Sequence, residues 1–76
     1  MTEADIQCLK ENVDKAVAIE TTYGECLIAK IIFVFDQEDQ PDVFYDLVST
    51  NKPGFKQGAS YALRFEDIVS VKPTEA

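Results

Sequence analysis

Residues 16–35 read Ala16-Val17-Ala18-Ile19-Glu20-Thr21-Thr22-Tyr23-Gly24-Glu25-Cys26-Leu27-Ile28-Ala29-Lys30-Ile31-Ile32-Phe33-Val34-Phe35, and the fold turns on how this stretch is read. Val17, Ile19 and Thr21 alternate with Ala18 and Glu20, the period-two pattern of a half-buried β-strand. Thr22 to Glu25 supply a turn, and Cys26 to Phe35 follow as a long second strand rich in β-branched and aromatic residues. Leu27, Ala29 and Ile31 alternate against Cys26, Ile28, Lys30 and Ile32, so both faces of this strand are apolar. Such a strand is central to a sheet or strongly bent, with one face on the core and the other on the helix or a neighbouring chain.

Upstream, Thr2 and Asp5 have capping-box spacing, with aspartate in place of Glu or Gln, and Glu3 and Asp5 suit the positive end of a helix dipole. Ile6, Leu9 and Val13 form one apolar stripe, which predicts a short helix ending near Asp14 or Lys15. A helix of this length is marginal alone and must lay its stripe on the sheet. Downstream, Asp36 to Asp42 form a polar loop with a breaker at Pro41, and Val43 to Thr50 a third strand carrying Phe44, Tyr45, Leu47 and Val48. Asn51 to Gly58 are turn-rich, Ser60 to Phe65 form a fourth strand, Glu66-Asp67 a tight junction with Asp67 capping local amides, and Ile68 to Lys72 a fifth strand. The tail, 73–76, reads as frayed. The expected architecture is a single mainly β domain over 1–76: an N-terminal helix within 1–15, then a small, strongly bent, five-stranded antiparallel barrel over 16–72. Closure hides sheet edges that otherwise pair with other chains. The alternative is an open antiparallel sheet with the helix on one face.

Size and composition bound the function. Surface scaling for a 76-residue chain leaves about 4,700 Å² exposed and a thin core. With 46% hydrophobic and 28% charged residues the chain is globular in composition. It contains no histidine and no tryptophan, which removes the commonest general base and the commonest metal ligand. Ser49, Thr50 and Ser60 have no base beside them, no glycine-rich phosphate cradle exists, and Glu66 and Asp67 are neighbours that a strand-like backbone points to opposite faces. An enzyme is not expected, and neither is a cofactor. Cys8 and Cys26 form no C-x-x-C pair and sit among apolar neighbours, as small buried thiols do. The acidic start lacks a signal peptide's basic and apolar regions, and no apolar run is long enough to span a bilayer, so the expected setting is a reducing cytoplasm without membrane attachment.

Fourteen acidic residues against seven basic ones give a net charge of −7. Such a domain repels a polyanion unless its cations gather on one face, and favours a cationic protein partner. The same acidity also serves plain solubility. Locally, Asp36, Glu38, Asp39, Asp42 and Asp46 fall within eleven residues without a Lys or Arg. They read either as a patch that attracts a basic surface or as a solvated hairpin tip that discourages edge aggregation. Their spacing fits no calcium loop. Tyr23, at the first hairpin's tip, is a candidate partner anchor. The opposing set is Lys52, Lys56 and Arg64 with Tyr61, in a stretch free of acids from Leu47 to Phe65. Cations interleaved with aromatics stack bases and hold phosphates, so these four residues are the candidates for nucleic acid, set against a surface loop with Tyr61 serving the core.

The run from Val17 to Lys30, with its Gly24-Glu25-x-Leu27-x-Ala29-Lys30 hairpin, together with Leu63-Arg64-Phe65-Glu66-Asp67-Ile68-Val69-Ser70-Val71, resembles the Sm-like barrel superfamily. Within it, the chain is most similar to the Rof family, small bacterial inhibitors of the transcription terminator Rho. An Sm-like resemblance implies an SH3-like bent five-stranded barrel, ring assembly through edge strands, and RNA binding in the pore. The loop at 36–42 lacks the Asp-x-x-x-Asn base-binding element and the Arg-Gly pair near the last strands is missing, which disfavours RNA by that mode. Rof-like proteins are acidic and engage a basic RNA-binding surface of their target. The expected function is therefore a protein-binding regulatory module for a basic partner, such as an RNA-binding protein. The alternative is an RNA-binding barrel, gathered into an oligomer, that uses Lys52, Lys56, Tyr61 and Arg64.

Overall fold

The computed structural model describes residues 2–36, 41–54 and 56–74. Glu38 and Asp39, two of the expected partner-binding acids, lie outside the described residues, as do the last two residues of the tail. Helix α1 spans Glu3–Glu11, and strands β1 (Ala16–Thr21), β2 (Cys26–Phe35), β3 (Asp42–Thr50), β4 (Ser60–Arg64) and β5 (Ile68–Pro73) follow, with a 3₁₀ turn at Phe65–Asp67. All pairings are antiparallel, in the order β4-β3-β2-β1-β5. The expected capping box forms: Asp5 N–H donates to Thr2 Oγ1 and Thr2 N–H donates to Asp5 Oδ2.

The helix is shorter than its apolar stripe predicts. Asn12 turns its side-chain amide back onto the Cys8 carbonyl at 2.7 Å, and Asp14 adopts a left-handed φ of 68°. Both end the helix before Val13 completes the stripe. Val13 is consequently exposed, and Leu9 alone carries the helix into the core, with Ile6 and Cys8 partly buried beside it. Cys26 corrects the expectation of two buried thiols. It opens β2 opposite Glu20 on the outward face and is exposed, while Cys8 is half-buried; both are free. The tail is also better tied than expected, since Pro73 pairs with Val17 and Thr74 Oγ1 donates to the Ala16 carbonyl at 2.8 Å.

The first hairpin closes through Thr21. Its N–H donates to the Glu25 carbonyl at 2.9 Å and its hydroxyl oxygen accepts from Glu25 N–H at 3.0 Å, while Gly24 takes the positive φ of 86° that the three-residue loop requires. On β1 and β2 the sequence alternation holds: Val17, Ile19 and Thr21, then Leu27, Ala29 and Ile31, face the core. The register of β2 against β3 shifts between Ile28 and Ala29 and again between Ile31 and Phe33. The second shift leaves Ile32 and Phe33 both facing outward, and bulges of this kind bend a strand.

The sheet is strongly curled, because its two edge strands are joined by three residues. In a flat sheet the edges stand about 19 Å apart, four spacings of roughly 4.8 Å. Four residue steps from Arg64 to Ile68 span at most about 14 Å, and less in a 3₁₀ turn. The turn is anchored on both sides: Phe65 N–H donates to the Pro41 carbonyl at 3.0 Å, and Thr22 N–H donates to the Asp67 carbonyl at 2.9 Å. Asp67 thus acts through its carbonyl, not as a carboxylate cap. Among the described residues no ladder joins β4 to β5, so the sheet is curled and open. Among the described residues no helix is long and apolar enough to cross a membrane.

Candidate protein-binding surface

The outward face of β2 and β3 carries an aromatic cluster that alternation did not predict. Phe33 stands opposite Phe44, and Phe35 opposite Asp42. The Phe33 and Phe35 rings lie 4.4 Å apart between centroids, and Phe35 meets Phe44 edge-on at 5.5 Å. Phe33 is 52% exposed, Phe44 40% and Ile32 42%. Scattered exposed apolar residues need no explanation, but a contiguous aromatic patch marks an interaction site. The sequence held one signal for it: Ile31, Ile32 and Phe33 run on without the polar residue that strict alternation demands.

Two of the expected acids border this cluster. Asp36 follows Phe35 and forms an ion pair with Lys10 of α1, whose ammonium holds the Asp36 carboxyl below the ordinary carboxylate range. Asp42 opens β3 between Phe35 on one side and Arg64 on the other. Asp46 lies further along the same outward face and accepts a hydrogen bond from the Ser60 hydroxyl.

Tyr23 belongs to a different group. It is 47% exposed at the hairpin tip, with Lys52 Nζ 5.1 Å from its ring centroid, a cation–π contact. Beneath lies Glu25, a buried carboxylate that no sequence pattern singles out, which accepts from the Thr50 hydroxyl. Its charge and the surrounding burial shape the nearby phenols. Burial first, then Glu25, raises the pKa of Tyr23, and the same causes push Tyr45 up to about 12. The 3₁₀ turn links this group to the Asp42 side, touching Thr22 with one end and Pro41 with the other.

The expected nucleic-acid set is divided. Lys56 N–H donates to the Tyr61 hydroxyl at 2.9 Å, and Tyr61 packs against the core with its ring 6.2 Å from that of Tyr45. Arg64 sits at the other end of β4, about 13 Å along the strand from Ser60, opposite Asp42 and 3.5 Å from Glu66. Lys52 and Lys56 therefore share the loop after β3, and Arg64 stands among carboxylates. No protein-family model matches the chain, and no curated protein or solved structure matches it.

Proposed function

We propose that this chain is a non-catalytic, cytoplasmic regulatory module of the Sm-like, Rof-like kind, which binds a basic surface of a protein partner. In this reading the curled sheet is an Sm-like barrel, a reading supported by an N-terminal helix followed by five antiparallel strands with a bent second strand. The observation that carries the function is the exposed Phe33–Phe35–Phe44 cluster bordered by Asp36 and Asp42. An interface works through a few large apolar anchors that exclude water, inside a polar rim that sets charge preference and speeds encounter. Aromatic rings edged by carboxylates, on a chain of net charge −7, suit a partner that offers Lys and Arg around an apolar recess.

The test is affinity purification of the tagged protein from a cytoplasmic lysate at low salt, with and without nuclease. The expected result is a basic protein that survives nuclease, is lost from a Phe33→Ser/Phe44→Ser variant, and is weakened by Asp36→Lys/Asp42→Lys. Stoichiometric RNA, retained by both variants and lost on Lys52→Glu/Lys56→Glu, would overturn the reading in favour of a nucleic-acid role.

A further inference from the structure

The two edges of the sheet are not equivalent. Phe65 N–H donates to the Pro41 carbonyl, and Leu47 N–H donates to the Ala59 carbonyl at 2.9 Å. These bonds bracket β4 and fix its phase against β3, because hydrogen-bonded pairs alternate along an antiparallel ladder. Ala59, Tyr61, Leu63 and Phe65 face β3; Ser60, Ala62 and Arg64 direct their backbone N–H and C=O groups outward. Among the described residues nothing takes those groups. On β5 the situation is reversed. Val71 N–H, which points away from β1, donates to the Asp5 carboxylate at 3.1 Å. Pro73 has no N–H to offer, Val69 is the extra residue where the β1–β5 register shifts, and α1 packs against the strand. A covering helix, a proline and a bulge are the devices that keep an edge from pairing. A ring built edge to edge needs β5 as well as β4, and β5 is covered.

Beside β4 lies a shallow groove of about 410 Å³, lined by Ile32, Phe44, Tyr45, Ser60, Tyr61 and Ala62. Ala62 stands opposite Phe44, and its single methyl leaves a notch at the outer rim of the aromatic cluster. A strand added to β4 would place one side chain opposite Ala62, and only a large apolar one reaches over it to Phe44. A second copy paired through its own β4 does not supply that group, because that strand presents only Ser60, Ala62 and Arg64 on this face. Charge adds a second requirement. Arg64 is matched by Glu66, whereas Asp46, which stands opposite Lys30 of β2, accepts from the Ser60 hydroxyl and forms no ion pair among the described residues. A cation opposite Ser60 reaches Asp46.

We infer that β4 accepts an extended, cationic segment of the partner protein as a sixth antiparallel strand, with a large apolar side chain opposite Ala62 and a Lys or Arg two residues later against Asp46. Backbone hydrogen bonds supply the affinity and the notch and carboxylate supply the choice of sequence. The inference rests on the protein-binding reading above and specifies the shape of what is bound.

The probe is a blocked nine-residue peptide of threonines alternating with apolar residues, with one phenylalanine at its centre and a lysine two residues after it, titrated into the ¹⁵N-labelled full chain. Amide shifts and slowed hydrogen exchange are expected at Ser60, Ala62 and Arg64. N-methylation of the phenylalanine, whose amide faces β4, should weaken binding on the order of tenfold, the loss of about one hydrogen bond. N-methylation of the next residue, whose amide faces solvent, should leave it unchanged. Replacing the phenylalanine by alanine, or the lysine by glutamate, should each weaken binding. Ala62→Pro should abolish it while keeping the β3–β4 ladder, because the lost N–H is not part of that ladder. Equal effects of the two N-methyl peptides overturn the inference, as does the absence of any response at β4. Shifts at Ser60 to Arg64 on concentrating the protein alone also overturn it, by assigning the edge to a second copy. Shifts confined to Phe33, Asp36 and Asp42 overturn the edge docking and leave the protein-binding reading standing, which the purification decides separately.

Discussion

Asp5 joins the helix to the sheet with one carboxylate. Oδ2 accepts from Thr2 N–H at 2.9 Å and Oδ1 accepts from Val71 N–H at 3.1 Å. Asp5→Ala removes the reciprocal half of the cap and leaves the Val71 amide unpaired, so it should destabilise the fold by about 1–2 kcal/mol in urea melts. The same contacts set a pH dependence. The Thr2 amide, aided by the Val71 amide and opposed by partial burial, lowers the Asp5 pKa below its ordinary 3.8. The folded value is therefore the lower one. The stabilisation is complete above the ordinary carboxylate value and is lost as pH falls through the folded value. Asp36 beside Lys10 acts in the same direction. Melts run from about pH 6 down to about pH 2 should show Asp5→Asn less stable at the upper end and shallower in its acid loss. Parallel curves at every pH would show that the Asp5 contacts contribute nothing in solution.

At the scale of elements, the fully buried apolar contact of α1 is concentrated in one residue. Leu9 is fully buried, whereas Val13, seven residues along the same stripe, is 40% exposed. Leu9→Ala should cost about 2–5 kcal/mol and Val13→Ala less than about 0.5 kcal/mol. Equal losses in thermal melts would restore the longer helix that the stripe predicts. The contrast shows what the sequence makes legible. Period-two alternation is a property of a strand paired in one unbroken register, so it grouped Val17 with Ile19 and Leu27 with Ala29 and Ile31 on common faces, and pairing and packing then turn those faces to the core. It fails where the register slips. The shift at Ile32 turns Ile32 and Phe33 outward together, and the unbroken Ile31-Ile32-Phe33 run breaks the alternation without locating a bulge that depends on β3. Helix ends fail for a related reason, since Asn12 and Asp14 compete with the apolar stripe through side-chain and backbone geometry that hydropathy does not register. Asp36 and Asp42 were legible as an acidic loop, but Phe33 and Phe44 were hidden as core candidates. The separation of Arg64 from Lys56 needed the β3–β4 register.

For the whole molecule, net charge decides how salt acts, and it should act in two opposed ways. Two ion pairs join described residues, Lys10–Asp36 and Arg64–Glu66, and exposed pairs of this kind contribute little to stability. Against them stands the self-repulsion of fourteen acids facing seven bases. The radius of gyration is 11.2 Å, so at about 0.01 M salt, where the Debye length is roughly 30 Å, every charge feels every other. At about 0.5 M the screening length falls below the radius and the repulsion fades faster than two weak pairs are lost. Raising salt across that range should therefore raise the melting temperature of the free protein by several degrees. Association with a basic partner runs on the same field and should weaken over the same range, chiefly through a slower on-rate. A melting temperature and a binding constant that move in opposite directions along one salt titration are the expected signature. A melting temperature that falls with salt would show that local pairing dominates the charge layout, and a binding constant that salt does not move would show that the acidic loop has no steering role.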